Sequence, residues 1–73
     1  MWTVNVILKV PAWDHPALVL LDSLAEKHNG QAAVSGRGHQ SWAFRTKEDA
    51  YAFAEDAAVA SLETVVMKPE LQE

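Results

Sequence analysis

Apolar and polar residues alternate along two stretches of the chain, residues 1–10 and 40–46, as they do in half-buried strands. Two shorter runs, residues 31–35 and 63–68, have the same character. The segments between these runs carry apolar residues at helical spacing, each behind a helix-start signal. The chain therefore predicts the element order β-α-β-β-α-β.

The first helix is predicted to begin at Pro16, behind Asp14 or His15 as the N-cap, and to end at Asn29-Gly30. Its predicted apolar stripe consists of Ala17, Leu20, Leu21, Leu24, Ala25 and His28. The second helix is predicted to follow Thr46 as N-cap, with Asp49 in a capping-box position. Its predicted stripe consists of Ala50, Phe53, Ala54, Ala57 and Ala58.

The hairpin between the middle strands has two plausible registers. A two-residue turn at Gly36-Arg37 leaves Trp42 opposite Gln31, whereas a three-residue loop at residues 36–38 pairs Ala32 with Trp42 and Val34 with Gln40. The second register is preferred, because it collects the large apolar side chains, Trp42 and Phe44 among them, on one face. In the last strand Val65 and Met67 are predicted to face the core.

Two β-α-β units joined by a hairpin give an α+β, ferredoxin-like βαββαβ sandwich. It has a four-stranded antiparallel sheet in the order 4-1-3-2 and two helices on one face. We expect one domain over residues 1–69 and a frayed C-terminal tail over residues 70–73.

Composition limits the classes of protein to consider. The chain has 73 residues, a net charge of −4 and no cysteine, so neither a disulfide nor a thiolate zinc site can reinforce its small core. No export signal and no run long enough to span a bilayer is visible, and we expect a cytoplasmic protein without membrane contact. Self-association is the expected reinforcement.

The sheet face away from the helices is predicted to have a semi-apolar centre formed by Ile7, Ala43 and Val66. Such a centre favours stacking against a second copy, so we predict a homodimer with this face as the partner interface. The alternative is an ordinary solvent-exposed face, as antiparallel sheets commonly have.

Basic residues are predicted on the same side, and they make nucleic-acid or anion binding an alternative function. These candidates are Lys9, Arg37, His39, Arg45 and Lys68. RNA-binding sheets of this architecture stack bases on exposed aromatic residues, however, and here Trp42 and Phe44 are predicted to point inward. A further alternative is that the acidic helices imitate a phosphate backbone and inhibit a nucleic-acid-binding protein.

The sequence contains no recognisable catalytic chemistry. No nucleophile, phosphate-loop or dinucleotide motif occurs, and the three histidines lack the spacing of a metal site. We therefore expect no catalytic residue, no metal and no cofactor. The leading interpretation is a small non-enzymatic interaction or regulatory module that binds a protein partner.

The passage from Val10 to Leu18, with Asp14-His15-Pro16-Ala17 at its centre, resembles the strand end and helix start of ACT-type regulatory domains. The order of elements over nearly the whole chain is similar as well. This resemblance implies a small-ligand sensor whose site forms between subunits, near Trp13, Asp14 and His15.

Overall fold

The computed structural model of the protein describes residues 1–8, 16–36, 38–60 and 64–72. Within them the elements are β1 (Trp2–Leu8), α1 (Pro16–Lys27), β2 (Gln31–Gly36), β3 (His39–Phe44), α2 (Lys47–Ala60), β4 (Thr64–Val66) and β5 (Glu70–Leu71). The strands pair antiparallel in the order β2-β3-β1-β4, and β5 pairs with β1. This order agrees with the predicted one, and the α+β arrangement is compatible with a ferredoxin-like fold.

Both helices cover the same face of the sheet, and Trp42 in β3 shows this directly. Its indole N–H donates to Asp22 in α1, and its ring lies 5.3 Å from that of Phe53 in α2. Phe44 also packs on Phe53, with ring centroids 5.0 Å apart. The predicted inward orientation of Trp42 and Phe44 is confirmed. The buried apolar core consists of Val4, Val6, Leu21, Ala25, Trp42, Phe44, Ala50, Phe53 and Ala57.

The apolar stripe of α1 is rotated from the predicted one. Leu21 and Ala25 are buried as expected, but Leu20 is 40% exposed and Leu18 packs against the core instead. Residues 17–21 are all apolar, so their periodicity does not identify the inward face. In α2 the predicted stripe holds except at Ala58, which is exposed.

Helix α1 ends in a Schellman motif. The Gly30 N–H donates to the Ala25 carbonyl at 2.7 Å, the Asn29 N–H donates to the Glu26 carbonyl, and Asn29 has a φ of 63°. Asn29 is thus the left-handed residue, and Gly30 is required for a different reason. A Cβ on Gly30 would lie 2.3 Å from the Phe44 ring, so the chain can pass this buried aromatic only without a side chain.

The hairpin keeps the preferred register away from the turn but differs from both predicted registers beside it. Ala32 pairs with Trp42 as expected, but Ser35 rather than Val34 pairs with Gln40. The turn is one residue shorter than predicted, since Gly36 pairs with His39, and a β-bulge between Ala32 and Ser35 restores the register. The bulge cannot be read from residue periodicity.

The predicted N-cap of α2 is present. The Asp49 backbone N–H donates to the Thr46 hydroxyl at 3.2 Å, which satisfies one of the free donors of the first turn. Just inside the helix, the Lys47 ammonium lies 5.9 Å from the centroid of Trp2 and 5.7 Å from that of Tyr51. These contacts fix the start of α2 over the edge of the core.

The expected fraying of residues 70–73 is wrong for the described part of that tail. In β5, Leu71 pairs with Trp2 and Glu70 pairs with Thr3. Gln72 and Met1 then exchange hydrogen bonds between their backbone N and O atoms, at 2.7 and 3.1 Å. Strand β4 pairs with only the second half of β1. The chain then returns as β5 and supplies hydrogen-bond partners for the first half of β1. A strand of two residues is too short to show an alternating pattern, so the sequence does not predict this pairing.

Candidate interaction surface

The side of the sheet turned away from the helices, here called the open face, is defined by the strand registers. Ile7 in β1 pairs with His39 in β3 and with Val65 in β4, and its side chain points away from Val6, which is buried, and from Val66, which packs against the core. The open face includes Thr3, Asn5, Ile7, Gln31, Gly36, His39, Ser41, Ala43, Val65, Met67 and Glu70.

An apolar strip, formed by Ile7, Val65 and Met67, runs across the open face. These side chains are 44%, 43% and 45% exposed, respectively. Ile7 and Met67 also line a shallow depression of ≈ 430 Å³ with Asn5, Gly38, His39 and Glu70. Together these adjacent side chains give the open face a contiguous apolar area beside polar groups, which is the arrangement of a contact surface.

The predicted interface residue Val66 does not lie on the open face. It pairs with the buried Val6 and packs against the core, while Val65 and Met67, which were predicted to face the core, lie on the open face. Val65, Val66 and Met67 are three consecutive apolar residues. Whether the odd-numbered or the even-numbered residues point inward, the inward face is apolar, so the sequence does not identify it. Ile7 and Ala43 do lie on the open face as predicted, with Ala43 half-buried.

The centre of the open face is polar but internally satisfied. The Ser41 hydroxyl in β3 donates to the Asn5 side-chain oxygen in β1, and Ser41 is only 4% exposed. Because one partner is buried and the other half-buried, this contact holds the Asn5 amide in a fixed position beside the apolar strip. No sequence signal pointed to this pair.

His39 is held by Gly36, its cross-strand neighbour in β2. A Cβ on Gly36 would lie 2.4 Å from the His39 imidazole, so the ring occupies the space that any other residue would fill. The left-handed glycine of the turn is Gly38, with a φ of 82°. Gly36 therefore positions the His39 ring on the open face, whereas the sequence explained both glycines by the turn.

The candidate basic residues do not gather into one patch within the described part of the chain. Lys9 and Arg37 lie outside the described residues. Arg45 lines a separate depression of ≈ 530 Å³ with the acidic Glu26 and Asp49, and Lys68 is an exposed residue directly after Met67 in the chain. The described aromatic residues of the strands, Trp2, Trp42 and Phe44, all contact the core. A stacking platform for bases is missing from the described open face.

Trp13, Asp14 and His15, the residues implied by the ACT-type resemblance, lie outside the described residues. The described ranges contain no group of three or more His, Cys, Asp or Glu arranged to hold a metal ion. In those same ranges, neither helix combines the length and hydropathy needed to cross a membrane.

One polar contact joins the helices on the opposite side of the molecule. The Nε2 atom of His28, directly after α1, lies 2.7 Å from the Asp56 carboxylate in α2. This hydrogen bond is the main cause that lowers the pKa of Asp56, with smaller contributions from the charges of His28 and Lys27. The sequence places His28 in the apolar stripe of α1, and its contact with Asp56 has no sequence signal because the two residues are 28 positions apart.

Neither a protein-family profile nor a curated protein nor a solved structure matches the chain.

Proposed function

We propose that this chain is a non-enzymatic interaction module with a ferredoxin-like sandwich fold, and that it forms a homodimer by stacking two open faces. The observation that carries the proposal is the apolar strip of Ile7, Val65 and Met67, each nearly half exposed on a domain with a small core. The helices cover the other side of the sheet and leave this face as its uncovered apolar surface.

Stacking would complete the burial of these side chains. A fully buried aliphatic side chain contributes about 1.5 to 3 kcal/mol, so completing the burial of a half-exposed one contributes about 1 kcal/mol. A symmetric contact uses every residue twice, which doubles the contribution. This is the reinforcement that a domain without disulfides lacks.

Charge placement favours the same surface. The chain carries a net charge of −4, and two copies repel each other where their acidic residues meet. The exposed acidic residues of the helices, Asp22, Glu26, Glu48 and Glu55, lie on the covered side of the sheet. A dimer formed through the open faces keeps these carboxylates apart and presents the helices outward, where a protein partner can bind.

Sedimentation velocity over a range of protein concentrations tests the proposal. The wild type should shift from monomer to dimer as the concentration rises, and Val65→Asp and Ala43→Asp should each shift the equilibrium to monomer. Val59→Asp is the matched control, because Val59 is 82% exposed on α2 and the substitution adds the same charge to the covered side. A wild type that stays monomeric, or a dimer that only Val59→Asp disrupts, would overturn the proposal.

Native mass spectrometry of protein purified from its own source separates this function from the alternatives. We expect twice the mass of the chain and no additional mass. A retained amino acid would instead favour the ACT-like small-ligand sensor. Retained nucleic acid would favour binding through the remaining basic residues.

A further inference from the structure

We infer that the homodimer is held by a reciprocal contact between His39 of one copy and Glu70 of the second copy, with Asn5 on the twofold axis. The inference rests on the proposed function and specifies its interface. It is carried by the arrangement of polar groups around the apolar strip.

His39 and Glu70 occupy opposite corners of the depression on the open face. His39 pairs with Ile7 on one side of β1, and Glu70 pairs with Thr3 on the other side. Thr3 and Ile7 are separated by about 13 Å along the strand, at roughly 3.3 Å per residue, and each flanking strand lies about 4.8 Å to the side. The two polar groups are therefore diagonal to each other, and Asn5 lies midway between them.

A twofold axis through this midpoint, in the plane of the contact and at right angles to the diagonal, exchanges the two corners. It places His39 of each copy against Glu70 of the other. The strands of the stacked sheets then cross steeply, near the orthogonal class of sheet packing.

The chemistry of the two groups fits this exchange. Both are exposed, and neither side chain has a hydrogen bond or ion pair with another described residue. A ring N–H of His39 can donate to the carboxylate of Glu70, and Gly36 already holds that ring on the open face.

Asn5 fits the position on the axis. A residue there meets its own copy, so it must be complementary to itself. An asparagine amide satisfies this condition, since its N–H₂ donates to the oxygen of the other copy and its own oxygen accepts in return. Ser41 uses one acceptor position of the Asn5 oxygen and leaves the second available.

Charge reversal tests the contact. Dimer dissociation constants from sedimentation should rise about tenfold in His39→Glu and in Glu70→Arg. The first variant places two carboxylates against each other, and the second places a guanidinium against the imidazole. The twofold axis repeats each unfavourable contact. The double variant should return to within about threefold of the wild type, since it restores the pair in reversed polarity. Glu55→Arg, on the exposed side of α2, is the control with the same charge change and should leave the dissociation constant unchanged.

A second measurement does not depend on affinity. The chain contains no cysteine, so the double variant His39→Cys/Glu70→Cys can form disulfides only between introduced thiols. We expect a covalent dimer on oxidation, and only monomer from either single cysteine variant, because neither residue faces its own copy.

The outcomes separate this inference from the proposed function. A dimer that Val65→Asp disrupts but that neither charge reversal weakens, or a double variant without rescue and without cross-linking, would overturn the His39–Glu70 contact alone. A wild type that remains monomeric would overturn both.

Discussion

The indole N–H of Trp42 donates to the carboxylate of Asp22 at 2.9 Å, and this hydrogen bond links the central strand β3 to the helix α1. Trp42 is 1% exposed, whereas Asp22 lies at the surface. A buried tryptophan needs an acceptor for its N–H, and a carboxylate at the rim of the core supplies one without itself losing contact with water. Asp22 therefore has a structural role that its surface position does not reveal.

Asp22→Ala should lower the free energy of unfolding by about 1 to 3 kcal/mol, because it leaves the indole N–H of Trp42 buried without a partner. Asp22→Asn is the matched variant, since it keeps an acceptor oxygen and should lose less. Urea unfolding followed by far-ultraviolet circular dichroism measures both. Equal stability of the two variants would show that the hydrogen bond contributes nothing.

Gly30→Ala tests the close approach between the end of α1 and β3. The added methyl group would lie 2.3 Å from the Phe44 ring, so that ring or the backbone must shift. Overpacking of this kind costs about 1 to 3 kcal/mol. Thermal unfolding should show the loss, and Gly30→Ala combined with Phe44→Leu should lose less stability than the sum of the two single variants, because the smaller side chain frees the space for the methyl group. A fully stable Gly30→Ala protein would contradict the described packing.

The contact between His28 and Asp56 should make stability depend on pH in the acid range. The hydrogen bond from His28 holds the pKa of Asp56 below its ordinary range. A carboxyl group with a lowered pKa in the folded state stabilises the protein above its unfolded pKa of about 3.9. This stabilisation is lost as the pH falls through the lower folded pKa.

Urea unfolding of the wild type and of Asp56→Asn over a pH series measures this effect. The difference in unfolding free energy between them should shrink as the pH falls below about 4, where Asp56 becomes protonated. Glu55→Gln removes the neighbouring exposed carboxylate as a control, and its curve should stay parallel to that of the wild type. A constant difference between the wild type and Asp56→Asn at every pH would show that the pKa of Asp56 is not lowered.

The four longer strands, β1 to β4, and the two helices could be predicted because each has a local cause. Thr46 caps α2 through a hydrogen bond three residues away, and alternation in β1 places Val4 and Val6 inward. The strand order followed from joining two β-α-β units by a hairpin. The orientation of Trp42 and Phe44 followed because only one face could bury both.

What could not be predicted depends on groups that are distant in sequence or locally ambiguous. The pairing of β5 with β1 and the contact of His28 with Asp56 exist only after folding. The open face was half predicted, since Ile7 and Ala43 were identified. The predicted faces of Val65 and Val66 were the reverse of the observed ones, because a run of apolar residues has no alternation from which the inward face can be read.

The bulge between Ala32 and Ser35 has a consequence for how the protein can assemble. A straight edge strand offers an unbroken row of donors and acceptors that can recruit further strands into a fibril. Strand β2 forms one edge of the sheet and is interrupted by the bulge. The opposite edge is divided between β4 and β5, with Pro69, which lacks a backbone donor, between them. The bulge on one margin and the proline on the other therefore both oppose open-ended growth of the sheet by strand addition.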